Sequence, residues 1–219
     1  TVKLGDARLE KRLVGMVEAL AAQPTASVPQ AMGEWAATKA AYNFWDSELV
    51  EAQAIRAAHR QRTIERIREH RTVLVAQDTT DLRFVRRGSG DERLGLKVHS
   101  ALCVSLEGVP LGIVHQQEWV RKPEDTGKAK RRRQLETKNK ESQRWLDTLD
   151  ETLGAIPASI GAITVADREA DIYDLFAQTR RPGGELLIRA VQDRRVSAVG
   201  VEAGEADETT QLWQALERL

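Results

Sequence analysis

Residues 162–166, AITVA, offer no polar face, and they follow an amphipathic helical stretch. Such a strand needs cover on both sides, which places it inside a sheet with helices packed on its faces. A second run of the same kind, TVLVAQ at 72–77, lies far upstream. Each ends abruptly on an aspartate: Asp78 in VLVAQDTTDL and Asp167 in AITVADREADI. Pairing the two strands in parallel is the economical arrangement. It brings Asp78 and Asp167 together at the C-terminal edge, where open α/β sheets hold their sites.

The rest of the chain fits a mixed sheet preceded by a helical unit, an α/β fold class. The period is helical before Thr72. A helix is expected over Asp6–Gln23, capped by Asp6 and stopped by Pro24, with Leu9, Leu13, Met16, Val17 and Leu20 on one face. After a turn, a second helix covers 34–46, with Trp35, Tyr42 and Trp45 as large anchors, and an arginine-rich third runs from about Val50 to His70. Beyond Thr72 the residues become β-branched. LRFVRR (82–87) reads as a strand separate from TVLVAQ, with Asp81 in the turn between them. Strands at 96–106 and 110–120 flank the hairpin signal EGV. An amphipathic helix at 139–154 carries Trp145, Leu146, Leu149 and Leu153, then AITVAD leads into a helix DIYDLFAQ with Asp171 as its N-cap, and ELLIRAV (185–191) is the last strand. The expected order is β-β-β-β-α-β-α-β, in domains 1–70 and 71–193 with an acidic tail at 194–219.

Lysine plus arginine (33) balance aspartate plus glutamate (33), but the charge is uneven. Residues 55–71 hold six arginines against two glutamates, and 128–140 hold seven cations, including Lys130, Arg131, Arg132 and Arg133, against one anion. Cationic blocks on a neutral chain point to local contact with a polyanion; the plainer alternative is solvated helix faces. No apolar run approaches a membrane span and the N-terminus lacks a signal-peptide core, so no membrane partner and a cytoplasmic setting are expected. The single cysteine, Cys103, forms no intrachain disulfide and reads as a small buried residue.

Two carboxylates a few ångströms apart repel unless a cation intervenes. Mg²⁺ resolves the conflict, being held by one or two carboxylates with substrate phosphates, and two such ions about 3.5–4 Å apart serve phosphodiester displacement. Metal-assisted phosphoryl transfer on a nucleic acid thus joins the acidic pair to the basic blocks. The alternative is that each aspartate caps a turn or a helix. His99 and His115, in expected strands, fit no local zinc spacing.

The stretch GDARLEKRLVGMVEALAAQPTASVPQAMGEWAATKAAYNFWDS resembles the N-terminal DNA-binding domain of a group of bacterial DDE transposases. QDTTDLRF, GLKVHSALCVS, GIVHQQEWVRKPED, KESQRWLDTL and VADREADIYDLF resemble, in order, blocks of the same group's catalytic core. The best-known member belongs to the composite transposon that carries kanamycin resistance. The resemblance implies cut-and-paste transposition on a ribonuclease H-like fold in a bacterial, nucleoid-associated setting. It implies two Mg²⁺ or Mn²⁺ ions on Asp78 and Asp167, the aspartates of the DTT and DRE blocks. Water nicks one strand at the transposon end, the freed 3′-hydroxyl forms a hairpin, and after opening it attacks target DNA. Thr79, Thr80, Arg168 and Glu169 match motif positions that shape the site, and Arg189 matches a basic position suited to a DNA phosphate. Arg8, Arg12, Thr38, Lys39 and Tyr42 are candidates for reading the terminal inverted repeats of double-stranded DNA, with Tyr42 alternatively in the core. The active form would be a homodimer on paired ends.

One element of the family pattern is missing. The group carries a third carboxylate, a glutamate in a Tyr-Arg-Glu-Lys signature on a late helix. Glu185 opens its strand at the wrong edge, Glu202, Glu205 and Glu208 lie in an acidic run, and Glu217 lacks the signature's neighbours. The segment after Asp193 resembles the start of the β-rich insertion that precedes that glutamate, so the chain is expected to stop short of it. Three activities stay open: a strand-cleaving transposase, a DNA-end-binding or inhibitory protein that does not cut, or an unrelated ribonuclease H-like nuclease that draws its third acid from Glu202 to Glu208.

Overall fold

The computed structural model describes residues 2–85, 93–120, 142–196 and 210–217, in two units, Thr1–Glu65 and Arg66–Leu219. The first unit is built from α1 (Ala7–Ala22), α2 (Val28–Met32), α3 (Trp35–Trp45) and most of α4 (Ala52–Ile67). Asp6 caps α1 by accepting the Arg8 N–H, a contact worth about 1 kcal/mol. Helix α2 replaces the expected turn. Its start is a capping arrangement in which the Ser27 N–H donates to Gln30 Oε1 at 2.9 Å.

The core of this unit gathers Met16, Ala41 and Phe44, with Leu9, Leu13 and Ile55 packed around them. Trp35, Tyr42 and Trp45 are not its anchors: they are 76%, 51% and 49% exposed. The inner stripe of α3 is Thr38, Ala41 and Phe44, spaced i, i+3, i+6, and the small Ala41 side chain lets a neighbouring element approach closely. Val17 is likewise exposed rather than on the inner face of α1. Ring size suggested burial; helical phase decided otherwise.

The second unit contains β1 (Thr72–Val85), β2 (Arg93–Ser105), β3 (Pro110–Val120), α5 (Gln143–Ala155), β4 (Gly161–Ala166), a 3-10 turn (Arg168–Ala170), α6 (Tyr173–Ala177) and β5 (Gly184–Ile188). The sheet runs β3-β2-β1-β4-β5. Strands β1, β2 and β3 pair antiparallel, while β1 with β4 and β4 with β5 pair parallel. The expected parallel neighbours are therefore neighbours. The expected break after Gln77 is absent, because TVLVAQ and LRFV form one 14-residue strand. Thr79 and Thr80 are β-branched and continue the pleat. Asp81 faces Lys97 across the ladder and forms an ion pair with it instead of turning the chain.

Helix α5 covers one face of the sheet with Trp145, Leu149 and Leu153, over buried positions that include Val75, Cys103 and Ala162. Burial of Cys103 pushes its thiol up to about 12, as expected for a packing residue rather than a nucleophile. Strand β4 alternates: Ala162, Thr164 and Ala166 are buried, and Ile163 and Val165 are half-buried. A short ladder of β6 (Arg195–Val196) with β7 (Thr210–Gln211) and helix α7 (Leu212–Leu216) complete the described residues. None of the described helices is long and apolar enough to cross a membrane.

Candidate functional site

The register of the parallel strands builds the site. Gln77 pairs with Ala166 and Ala166 with Ile188, so Asp78, Asp167 and Arg189 follow at the next level across β1, β4 and β5. The Arg189 N–H donates to the Ala166 carbonyl at 3.1 Å, which holds this level in step. Neighbouring strands lie about 4.8 Å apart and side chains alternate between faces. Gln77 and Ala166 are buried on the face that α5 covers, so the pleat sends Asp78 and Asp167 to the opposite face.

Both carboxylates are exposed, so neither carries the cost of a buried charge. Among the described residues the Asp78 carboxylate makes no hydrogen bond or ion pair, while its backbone lies in the β1–β2 ladder. Asp167 does cap: its Oδ1 accepts the Glu169 N–H at 2.9 Å and starts the 3-10 turn. Capping occupies one oxygen and is compatible with a cation at the other. Asp78, within β1, and Asp167, just past β4, are exposed carboxylates, the oxygen ligand type that Mg²⁺ and Mn²⁺ take. No group of three or more His, Cys, Asp or Glu able to hold a metal occurs among the described residues.

Beneath the pair, on the covered face, lies a network that sequence reasoning missed. Arg144, in the first turn of α5, donates from Nε to Thr79 Oγ1 at 2.9 Å and from a terminal nitrogen to Glu169 Oε2 at 2.8 Å. Its guanidinium lies 5.4 Å from the Trp145 ring centre and 5.7 Å from that of Trp119. Thr79 Oγ1 meets His99 Nδ1 at 2.8 Å, and His99 Nε2 faces Gln77 Oε1 at 3.4 Å. An amide oxygen only accepts, so His99 carries its proton on Nε2, and the Thr79 hydroxyl donates to Nδ1. Burial, reinforced by Arg144 and His115, lowers His99 to about 3 and keeps it neutral. The available signal was the cross-strand register, which sets Thr79 opposite His99.

The other candidates are placed as follows. Thr80 is exposed, two residues along β1 from Asp78 and on the same face. Arg168 is exposed at the start of the 3-10 turn, and Arg189 is exposed one residue past β5. Asp171 is not a helix N-cap; Ile172 holds that position for α6. The Asp171 carboxylate instead accepts the N–H groups of Val191 and Gln192, both at 2.7 Å, and pairs with Arg194. Burial pushes its pKa up, but the Val191 and Gln192 N–H groups and Arg194 outweigh burial and hold the carboxyl below its ordinary value. Glu185 pairs with Ile163, at the far end of the strands from Asp167, and Glu217 closes α7. Lys130, Arg131, Arg132, Arg133, Glu202, Glu205 and Glu208 lie outside the described residues.

In the helical unit, Arg12, Lys39 and Tyr42 are exposed, while Thr38 is only 6% exposed. Arg8 is exposed but bonded to Asp6, at 3.4 Å from Nε and 3.1 Å from a terminal nitrogen. Trp35, Lys39 and Tyr42 are spaced i, i+4, i+7 and form an outward stripe on α3; Tyr42 meets Trp45 edge-on, ring centres 5.9 Å apart. The alternative of Tyr42 in the core is therefore excluded, and Trp35 joins the candidates for contact. A family model described as transposase DNA-binding matches residues 1–50, the segment that holds α1, α2 and α3, and this supports a transposase N-terminal domain there.

Proposed function

We propose that this chain is a DDE-type transposase protein whose helical unit grips the terminal repeats of double-stranded DNA and whose second unit is a ribonuclease H-like core. The observation that carries the reading is a conjunction. A transposase DNA-binding match covers residues 1–50, and in a mixed sheet Asp78 of β1 and Asp167, just past β4, each follow the last parallel pair, Gln77 with Ala166.

Asp78 and Asp167 would hold Mg²⁺ or Mn²⁺, which supplies activation of water or a 3′-hydroxyl and charge stabilisation at the scissile phosphate. The protein's own groups orient the DNA. Arg189, beside Asp167, faces the same side and offers a guanidinium to a backbone phosphate. The exposed Trp35–Lys39–Tyr42 stripe and Arg12 supply cationic and stacking contacts to the duplex. Pairing of two DNA ends would bring two copies of the protein together as a homodimer, before attack on target DNA.

A second reading, a protein that binds DNA ends without cutting, is favoured by the two-carboxylate donor set among the described residues. One experiment addresses both. The 219-residue chain is expected to bind end DNA with a logarithmic affinity that falls steeply with logarithmic salt, as counterions are displaced, and not to nick it in Mg²⁺. Salt-insensitive binding would sink the DNA-binding reading. Robust Mg²⁺-dependent nicking that Asp78→Asn abolishes would decide for the cutting enzyme.

A further inference from the structure

From the covered face of the sheet, we propose that Arg144 is a positioning residue that sets the relative placement of Asp78 and Asp167. This rests on the reading that the two aspartates share a divalent cation. Arg144 touches neither carboxylate; it acts through their neighbours.

Its geometry is that of a two-armed brace. One arm holds Thr79, the residue after Asp78, and the other holds Glu169, two residues after Asp167. Thr79 is secured in turn by His99, and Gln77, on the other flank of Asp78, faces the same ring. Both neighbours of Asp78 are thereby tied down on one face, while Asp78 points to the other. Past β4, the Asp167 carboxylate already accepts the Glu169 N–H as the cap of the 3-10 turn, so fixing Glu169 fixes that turn. The brace is itself held: the Arg144 side chain is 12% exposed, its backbone carbonyl accepts from Gln117 at 3.4 Å, and His99 stacks edge-on to Trp145 with centres 4.5 Å apart. A planar fork with donors at fixed angles suits this task, and a lysine ammonium does not reproduce it.

Charge and position predict opposite signs. A guanidinium near a cation site repels the cation, so a purely electrostatic role makes Arg144→Ala bind Mn²⁺ more tightly. Positioning makes it bind more weakly, by roughly tenfold or more, as when groups that orient metal ligands are removed. The test uses the 219-residue chain and its Arg144→Ala, Arg144→Lys and Asp78→Asn variants. Mn²⁺ affinity is measured by electron paramagnetic resonance, and amide hydrogen exchange is measured without metal. Expected for Arg144→Ala is faster exchange at 78–81 and 167–170 with unchanged exchange at the hairpin 105–111, together with weaker Mn²⁺ binding. Arg144→Lys is expected to follow the alanine variant. Unchanged exchange at 78–81 and 167–170, or tighter Mn²⁺ binding, would overturn the proposal. If the wild-type chain binds no Mn²⁺, or Asp78→Asn binds as well as wild type, the shared-cation reading falls, and the exchange result alone still decides whether Arg144 braces the two segments.

Discussion

Asp171 and His99 show how little a residue's type says about its work. Asp171 lies in an acidic-looking loop, yet its side chain is 1% exposed and holds two backbone N–H groups and Arg194. Removing it leaves those donors unpaired, so Asp171→Ala is predicted to destabilise the second unit by about 3 kcal/mol, read by urea unfolding at pH 7. Its folded-state value lies below the ordinary 3.8, so the contribution is complete above that value and disappears as pH falls through the folded value. The difference between wild type and Asp171→Asn should accordingly shrink below pH 4. His99 behaves differently in acid. Held neutral to about pH 3, it binds a proton in the unfolded chain first, so its effect is a loss of stability as pH falls from 6.5. An imidazole NMR titration should show His99 neutral at pH 5; a midpoint near 6.5 would contradict the network drawn around it.

At the scale of elements, α3 separates packing from contact. Phe44 is 2% exposed and Trp35 76%, though each is an aromatic residue of the same helix. Phe44→Ala is predicted to cost about 3–4 kcal/mol, and Trp35→Ala less than about 0.5 kcal/mol, by thermal unfolding. If the outward stripe meets DNA, Trp35→Ala weakens end-DNA binding without that loss of stability. Equal destabilisation by the two would show that the stripe packs against protein. Strand β1 carries a related lesson. DTTD read as a turn because aspartate is depleted in strands. The ladder to β2 overrode that preference by giving Asp81 a lysine partner and Thr79 a histidine partner.

For the whole molecule, the decisive quantity is polyanion binding by a chain of balanced charge. Arg12, Lys39 and Arg189 are exposed, so no net charge is needed for a local attraction. Raising salt from 50 to 200 mM should lower end-DNA affinity by several powers of ten if six or more phosphates are contacted. A variant with Arg12 and Lys39 both changed to alanine should show a shallower slope in the same titration.

Sequence by itself determined the helix boundaries of α1 and α3, the hairpin of β2 and β3, and the parallel pairing of β1 with β4. Each follows from local spacing and from apolar runs that must find partners. It also determined which two aspartates stand at one register level, because register is a backbone property counted in residues. Tertiary structure alone decided which face those aspartates occupy, that they are exposed, and that Arg144 reaches the neighbours of both from beneath. Those contacts join residues 65 and 25 positions apart in the chain, through a helix whose rotation on the sheet no local pattern encodes.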